Sequence, residues 1–150
     1  MQHTYSQTLE FIKQAHVGQM YGDEPYWTHP VDVSKLVRKL EGSENAIIAA
    51  LLHDVVEDTA YSLNDLTNMG YSKSVITIVD LLTKRHGSYE ENIQRIIDSG
   101  NQDAMIVKLA DNMINMSGDK SQMSHERRER LLKKYNMSIR MLSEALELRP

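Results

Sequence analysis

The segment Asn45–Leu52 constrains the fold more than any other: Ala46, Ile47, Ile48, Ala49, Ala50, Leu51 and Leu52 follow one another without a polar break. As a helix it is apolar on nearly every side, so it has to lie in the middle of a domain with other elements around it. Those elements read as helices too. Only 7 Gly and 3 Pro interrupt 150 residues, and the apolar positions recur at helical rather than alternating spacing. The sequence predicts an all-α, single-domain bundle over residues 1–150, with about seven to eight helices.

A first helix is expected from Tyr5 to about His16, followed by a loop over Val17–Trp27 that is rich in breakers (Gly18, Gly22, Asp23, Pro25). Thr28 or His29 caps a second helix with Pro30 in its first turn, and Gly42 ends it after Leu40 or Glu41. The central helix runs over Asn45–Val56. Ser62 with Asp65 suggests a capping box for a short helix that stops at Gly70. Ser72 caps Lys73–Lys84. Then come Tyr89–Asp98, Gln102–Met116 and a long helix from Ser124 to about Leu148.

Chemistry begins where the central helix breaks its own pattern, at His53-Asp54-Val55-Val56-Glu57-Asp58. On a wheel, His53, Glu57, Asp54 and Asp58 fall at about 0°, 40°, 100° and 140°. Burying Ile47, Ile48, Leu51, Leu52 and Val55 contributes at most about 10 kcal/mol. Enclosing one unpaired carboxylate costs several kcal/mol. That end therefore opens to water or holds a cation. Two further places bear on the choice. His29 stands at a helix start after a loop, and Lys108, Asp111, Asn112 and Asn115 share one arc of a later helix. Each taken singly reads as a cap or a solvated face. Jointly, two imidazoles and two carboxylates form a mixed N/O set suited to an ion of intermediate hardness such as Mn, Fe, Zn or Ni.

Composition narrows the classes. The absence of cysteine excludes thiolate catalysis and cysteine metal sites and fits a reducing, cytoplasmic setting. A net charge of −4 argues against nucleic acid as a partner, and no segment reaches the ~20 apolar residues of a membrane span.

The stretches Ala15–Gln19, Glu24–Pro30, Ala49–Thr59, Ile78–Lys84 and Val107–Met116 resemble, in order, the HD superfamily, and within it the hydrolase domain of RelA/SpoT-type alarmone enzymes. The resemblance implies a stand-alone alarmone hydrolase that releases pyrophosphate from a guanosine 3′,5′-bis-diphosphate. It implies His29, His53, Asp54 and Asp111 as ligands of one divalent ion, usually Mn²⁺, with Glu57 and Asp58 as the catalytic pair. Asn115, Tyr26 and Lys108 are carried over as substrate contacts. Where the family usually has an arginine that packs on the base, this chain has Met20, followed by Tyr21. Ser117 and Gly118 also depart from the pattern. Two alternatives stay open: an HD phosphohydrolase or nucleotidase acting on a different nucleotide, and a non-catalytic nucleotide-binding module.

In the expected mechanism a metal-activated water attacks, while Glu57 and Asp58 position it or move a proton to the departing oxygen. The basic run His125–Lys134 reads as a solvated helix face, with Glu126/Arg130 and Glu129/Lys133 at i,i+4, and leaves room for one arginine to reach the substrate. Lys84-Arg85-His86 reads as helix-terminal charge, with Lys84 alone able to face a phosphate. His16 is given a packing role, and the methionines read as core filler.

Overall fold

The computed structural model describes residues 3–147. Nine helical segments and one short hairpin follow in order: α1 (Tyr5–Ala15), β1 (Met20–Tyr21), β2 (Glu24–Pro25), α2 (Thr28–Lys39), α3 (Glu44–Leu52), α4 (Val55–Asp58), α5 (Leu63–Asn68), α6 (Lys73–Leu82), α7 (Tyr89–Asp98), α8 (Gln102–Ser117) and α9 (His125–Glu147). Among these described residues no helix is long and apolar enough to cross a membrane.

The apolar segment is central. Ala46 through Leu52 are all buried, and α1, α2, α6 and α8 pack around α3. Most helices start on a short polar side chain that accepts from the first turn. Thr4, Ser62 and Ser88 do so in reciprocal capping boxes with Gln7, Asp65 and Glu91. Ser43, Ser72 and Asn101 cap α3, α6 and α8.

Four boundaries differ from the sequence reading. The Val17–Trp27 loop contains the β1–β2 hairpin, with Met20 paired to Pro25 and Tyr21 to Glu24. Neither Thr28 nor His29 caps α2: Trp27 precedes it without a side-chain bond, because the Thr28 hydroxyl donates backward to the Pro25 carbonyl at 2.8 Å. The central helix is not continuous to Val56. His53 Nδ1 donates to the Ala50 carbonyl at 2.6 Å, an oxygen that the Asp54 N–H would take in an unbroken helix. Asp54 then adopts φ −105° and ψ 0°, and α4 starts after it. Finally, α6 ends at Leu82 rather than Lys84. Thr83 turns extended with its hydroxyl on the Val79 carbonyl at 2.8 Å, and the Lys84 N–H goes to the Glu57 carboxylate instead. The expected end of the last helix near Leu148 lies outside the described residues.

Candidate metal centre

The break between α3 and α4 aims His53 and Asp54 at the start of α2 and the middle of α8. His29, His53 and Asp54 each bring one donor atom to within 4.8 Å of the others. The fourth expected residue joins them: Asp111 Oδ1 lies 2.8 Å from His29 Nε2 and 3.4 Å from His53 Nε2. Both rings are almost wholly buried, 3% and 4% exposed for His29 and His53.

The His53 ring tests whether this set fits a cation. Its Nδ1–H is committed to Ala50, so the neutral ring carries its lone pair on Nε2. That buried Nε2 has no hydrogen-bond partner, yet it sits 3.0 Å from Asp54 Oδ2 and 3.4 Å from Asp111 Oδ1. Three electron-rich atoms facing one another repel unless a positive charge lies between them. The donor set fits a divalent ion.

Titration of the same groups reflects the same crowding of negative charge around His53. Burial lowers the His53 imidazole, but the Asp54 and Asp111 charges outweigh it and hold the ring well above its ordinary value. Burial raises Asp54, and the adjacent His53 pulls its carboxyl net below the usual range. Asp111 is driven well down against burial by Lys108 and by the hydrogen bond from His29.

A second layer fixes the acids. The Tyr26 hydroxyl donates to Asp54 Oδ2. Lys108 Nζ reaches Asp111 Oδ2 at 3.4 Å, and Asn115 Nδ2 reaches Oδ1 at 3.3 Å. The α8 arc is thus no solvated face, since Asp111 and Asn112 are buried.

A family model described as HD domain matches residues 8–139. The chain belongs to the HD-domain family. Among its relatives, the guanosine-3′,5′-bis(diphosphate) 3′-pyrophosphohydrolase of Haemophilus influenzae is 37% identical over 115 residues, covering 69% of this chain and 17% of that protein. The bifunctional (p)ppGpp synthase/hydrolase SpoT of Escherichia coli is 34% identical over 115 residues, 69% of this chain and 16% of its own length. This HD domain therefore spans about a sixth of the curated relatives it matches. A solved structure of a metazoan ortholog of SpoT, described as hydrolyzing ppGpp and acting in starvation responses, superposes with a TM-score of 0.72. It is 26% identical and aligns over 97% of this chain and 95% of that one.

In this HD domain the expected catalytic pair stands at the open end of α4, with Glu57 and Asp58 both exposed. Burial, then the charges of Asp54 and Glu57, raise the Asp58 carboxyl above its ordinary value. Glu57 is held by the Lys84 N–H and lines a cleft of about 320 Å³ that also contains Lys84, Tyr89, Lys108 and Lys134.

Three residues matter here more than the sequence reading allowed. Tyr21 stacks on His29, with ring centroids 4.4 Å apart, and its hydroxyl donates to Asn115 Oδ1 at 2.7 Å. Its place next to Met20, where the chain departs from the family pattern, was the one signal in the sequence. His16 does more than pack. Its Nδ1 meets Gln19 Oε1 at 2.8 Å, and Gln19 Nε2 donates to the Asp58 carbonyl at 2.8 Å, tying α4 to the loop after α1. The shared stretch Ala15–Gln19 held that signal. The methionine reading holds for Met105, which is fully buried, and fails for Met113, which is 37% exposed, and for Met20, which is 59% exposed beside Tyr21.

Divalent-ion binding should stabilise the fold, with a sign that depends on pH. In the metal-free protein, the raised His53 contributes stability that is complete below the ordinary imidazole value of 6.5 and fades as pH rises through the raised one. An ion needs that ring unprotonated, so the gain it gives grows over the same range. At an ion concentration near a hundred times Kd the gain is about 2.7 kcal/mol, a rise in Tm of roughly 5–10 °C for a chain of this size. Thermal melts with and without Mn²⁺ across pH check this; a shift that shrinks with rising pH contradicts it.

Proposed function

We propose that this chain is a metal-dependent pyrophosphohydrolase acting on nucleotides of the guanosine 3′,5′-bis-diphosphate type. The observation that carries the reading is the juxtaposition of a largely buried two-histidine, two-carboxylate set with an exposed Glu57–Asp58 pair one helical turn away. The near full-length likeness to a ppGpp-hydrolyzing metazoan protein supports the substrate class.

His29, His53, Asp54 and Asp111 hold the ion, with Mn²⁺ as the proposed metal. When bound, such an ion supplies Lewis acidity towards a phosphoryl oxygen and lowers the pKa of water to near neutrality. The protein's own residues do the rest. Glu57, fixed by the Lys84 N–H, orients the attacking water and takes its proton. A new P–O bond forms as the bond from phosphorus to the 3′-oxygen breaks. Asp58, the acid that its surroundings push toward the protonated form, gives a proton to the departing 3′-oxygen. Tyr26 and Lys108 keep Asp54 and Asp111 aimed at the ion, and Asn115 does so while lining the nucleotide side with Tyr21. A cysteine-free chain of this kind suits a reducing cytoplasm.

One observation favours a second reading, hydrolysis of a nucleotide with a different base. Met20 and Tyr21 offer thioether and ring surfaces, which stack on any base without hydrogen-bond discrimination. A panel assayed with Mn²⁺ separates the readings: guanosine and adenosine 3′,5′-diphosphorylated forms against ordinary 5′-nucleotides. Pyrophosphate from the guanosine form is the expected product. Orthophosphate from 5′-nucleotides alone overturns the leading reading.

A further inference from the structure

Asp111 uses its two oxygens in opposite directions. Oδ1 faces His29, His53 and Asn115, while Oδ2 takes Lys108. Lys108 in turn lines the cleft of about 320 Å³ enclosed by α6, α7, α8 and α9, which therefore lies one side chain away from the metal centre.

Two ammonium groups converge there on one aromatic ring, and a third lysine lines the same cleft. Lys134 Nζ stands 4.6 Å and Lys108 Nζ 5.4 Å from the Tyr89 ring centroid, and Lys84 is the third. The ring is a fixed floor, because the Tyr89 hydroxyl donates to Asn112 Oδ1. Among the described residues neither Lys84 nor Lys134 has a carboxylate partner within ion-pair distance. Burial and then the charges of Lys108 and Lys84 push the Lys134 ammonium below its ordinary value. A cation–π contact accounts for one lysine on Tyr89. It gives no reason for three like charges to share a concave site in a chain whose net charge is −4.

We propose that this cleft is a seat for a diphosphate group, with Lys84, Lys108 and Lys134 as its cations and Lys134 as the residue that closes it from α9. The seat takes the terminal phosphate of a substrate diphosphate while the reacting phosphorus lies toward Glu57 and the ion. It also holds pyrophosphate after cleavage. Its part in turnover rests on the hydrolase reading above, whereas the binding itself does not. The seat gives a preference for diphosphates over monophosphates, since a diphosphate brings more charged oxygens to the three lysines than a single phosphate does.

Calorimetric titration of the metal-depleted chain with inorganic pyrophosphate tests this apart from catalysis. The wild-type protein should bind pyrophosphate more tightly than orthophosphate. K134Q should weaken pyrophosphate binding by about tenfold or more, the worth of one charge-assisted hydrogen bond. K134R should retain most of it, and both variants should keep the wild-type Tm. With Mn²⁺ and the guanosine substrate, K134Q should raise KM and the inhibition constant of pyrophosphate together. Absence of pyrophosphate binding by the wild type, or equal affinity in K134Q, overturns the seat. If no nucleotide turns over and yet pyrophosphate binding depends on Lys134, the seat stands and the hydrolase reading falls. If turnover proceeds and pyrophosphate binding ignores Lys134, the hydrolase reading stands and the seat falls.

Discussion

Asp54→Ala should abolish measurable Mn²⁺ binding and, with it, turnover. The carboxylate is one of three groups whose donor atoms lie within 4.8 Å of one another, and it is held in place by the Tyr26 hydroxyl. Loss of an outer partner of a ligand already costs about 10–100-fold in metal affinity, so loss of the ligand itself should exceed that. The stability readout is more telling. Asp54 is attracted by His53 more strongly than it is repelled by Asp111. Removing it should therefore lower the Tm of the metal-free protein at pH below the raised His53 value, where the ring is charged. The further rise on adding Mn²⁺ should vanish. Tyr26→Phe makes a useful comparison, because it removes only the hydroxyl that aims the acid and should weaken the ion rather than eliminate it. An Asp54→Ala protein that binds Mn²⁺ like wild type, in a direct titration, would show that the ion sits elsewhere.

The fold was legible where one signal dominated, and so was the convergence of the four candidate ligands. An all-round apolar helix has few ways to be satisfied, and Ser, Thr and Asn caps marked most of the other starts. That convergence was legible because His29, His53, Asp54 and Asp111 are costly to bury without purpose, and the family resemblance ordered them. What the sequence hid were the bonds that compete with regular helix. Helical spacing extends α3 through His53, since no propensity scale registers an imidazole that captures the Ala50 carbonyl. The same blindness ran α6 on to Lys84, whose N–H is claimed by Glu57 from another element. Lys134 was hidden for a different reason. It sits at the end of a charged run with the i,i+4 spacing of a solvated face, and only the packing of α9 on α7 and α8 turns that lysine inward over Tyr89.

Glu57→Ala should leave the metal centre intact and remove most of the catalysis. Glu57 touches none of the four candidate ligands in the hydrogen bonds or ion pairs of the described residues; its carboxylate is bound to the Lys84 N–H. Mn²⁺ affinity and the Mn²⁺-dependent rise in Tm should therefore match wild type. Loss of a positioned general base typically costs about 10²–10⁴-fold, and it should fall on kcat with KM little changed, because the carboxylate acts on the water rather than on the nucleotide. Alanine also releases the loop after α6, so a drop in rate could come from a displaced Lys84. Glu57→Gln separates the two causes. The amide oxygen still accepts from the Lys84 N–H and keeps the loop in place, but the side chain no longer takes a proton. Comparable losses in Glu57→Gln and Glu57→Ala assign the effect to the base; recovery in Glu57→Gln assigns it to the loop. Normal turnover in both variants, with metal bound, removes Glu57 from the reaction and leaves Asp58 as the one carboxylate of the pair able to serve it.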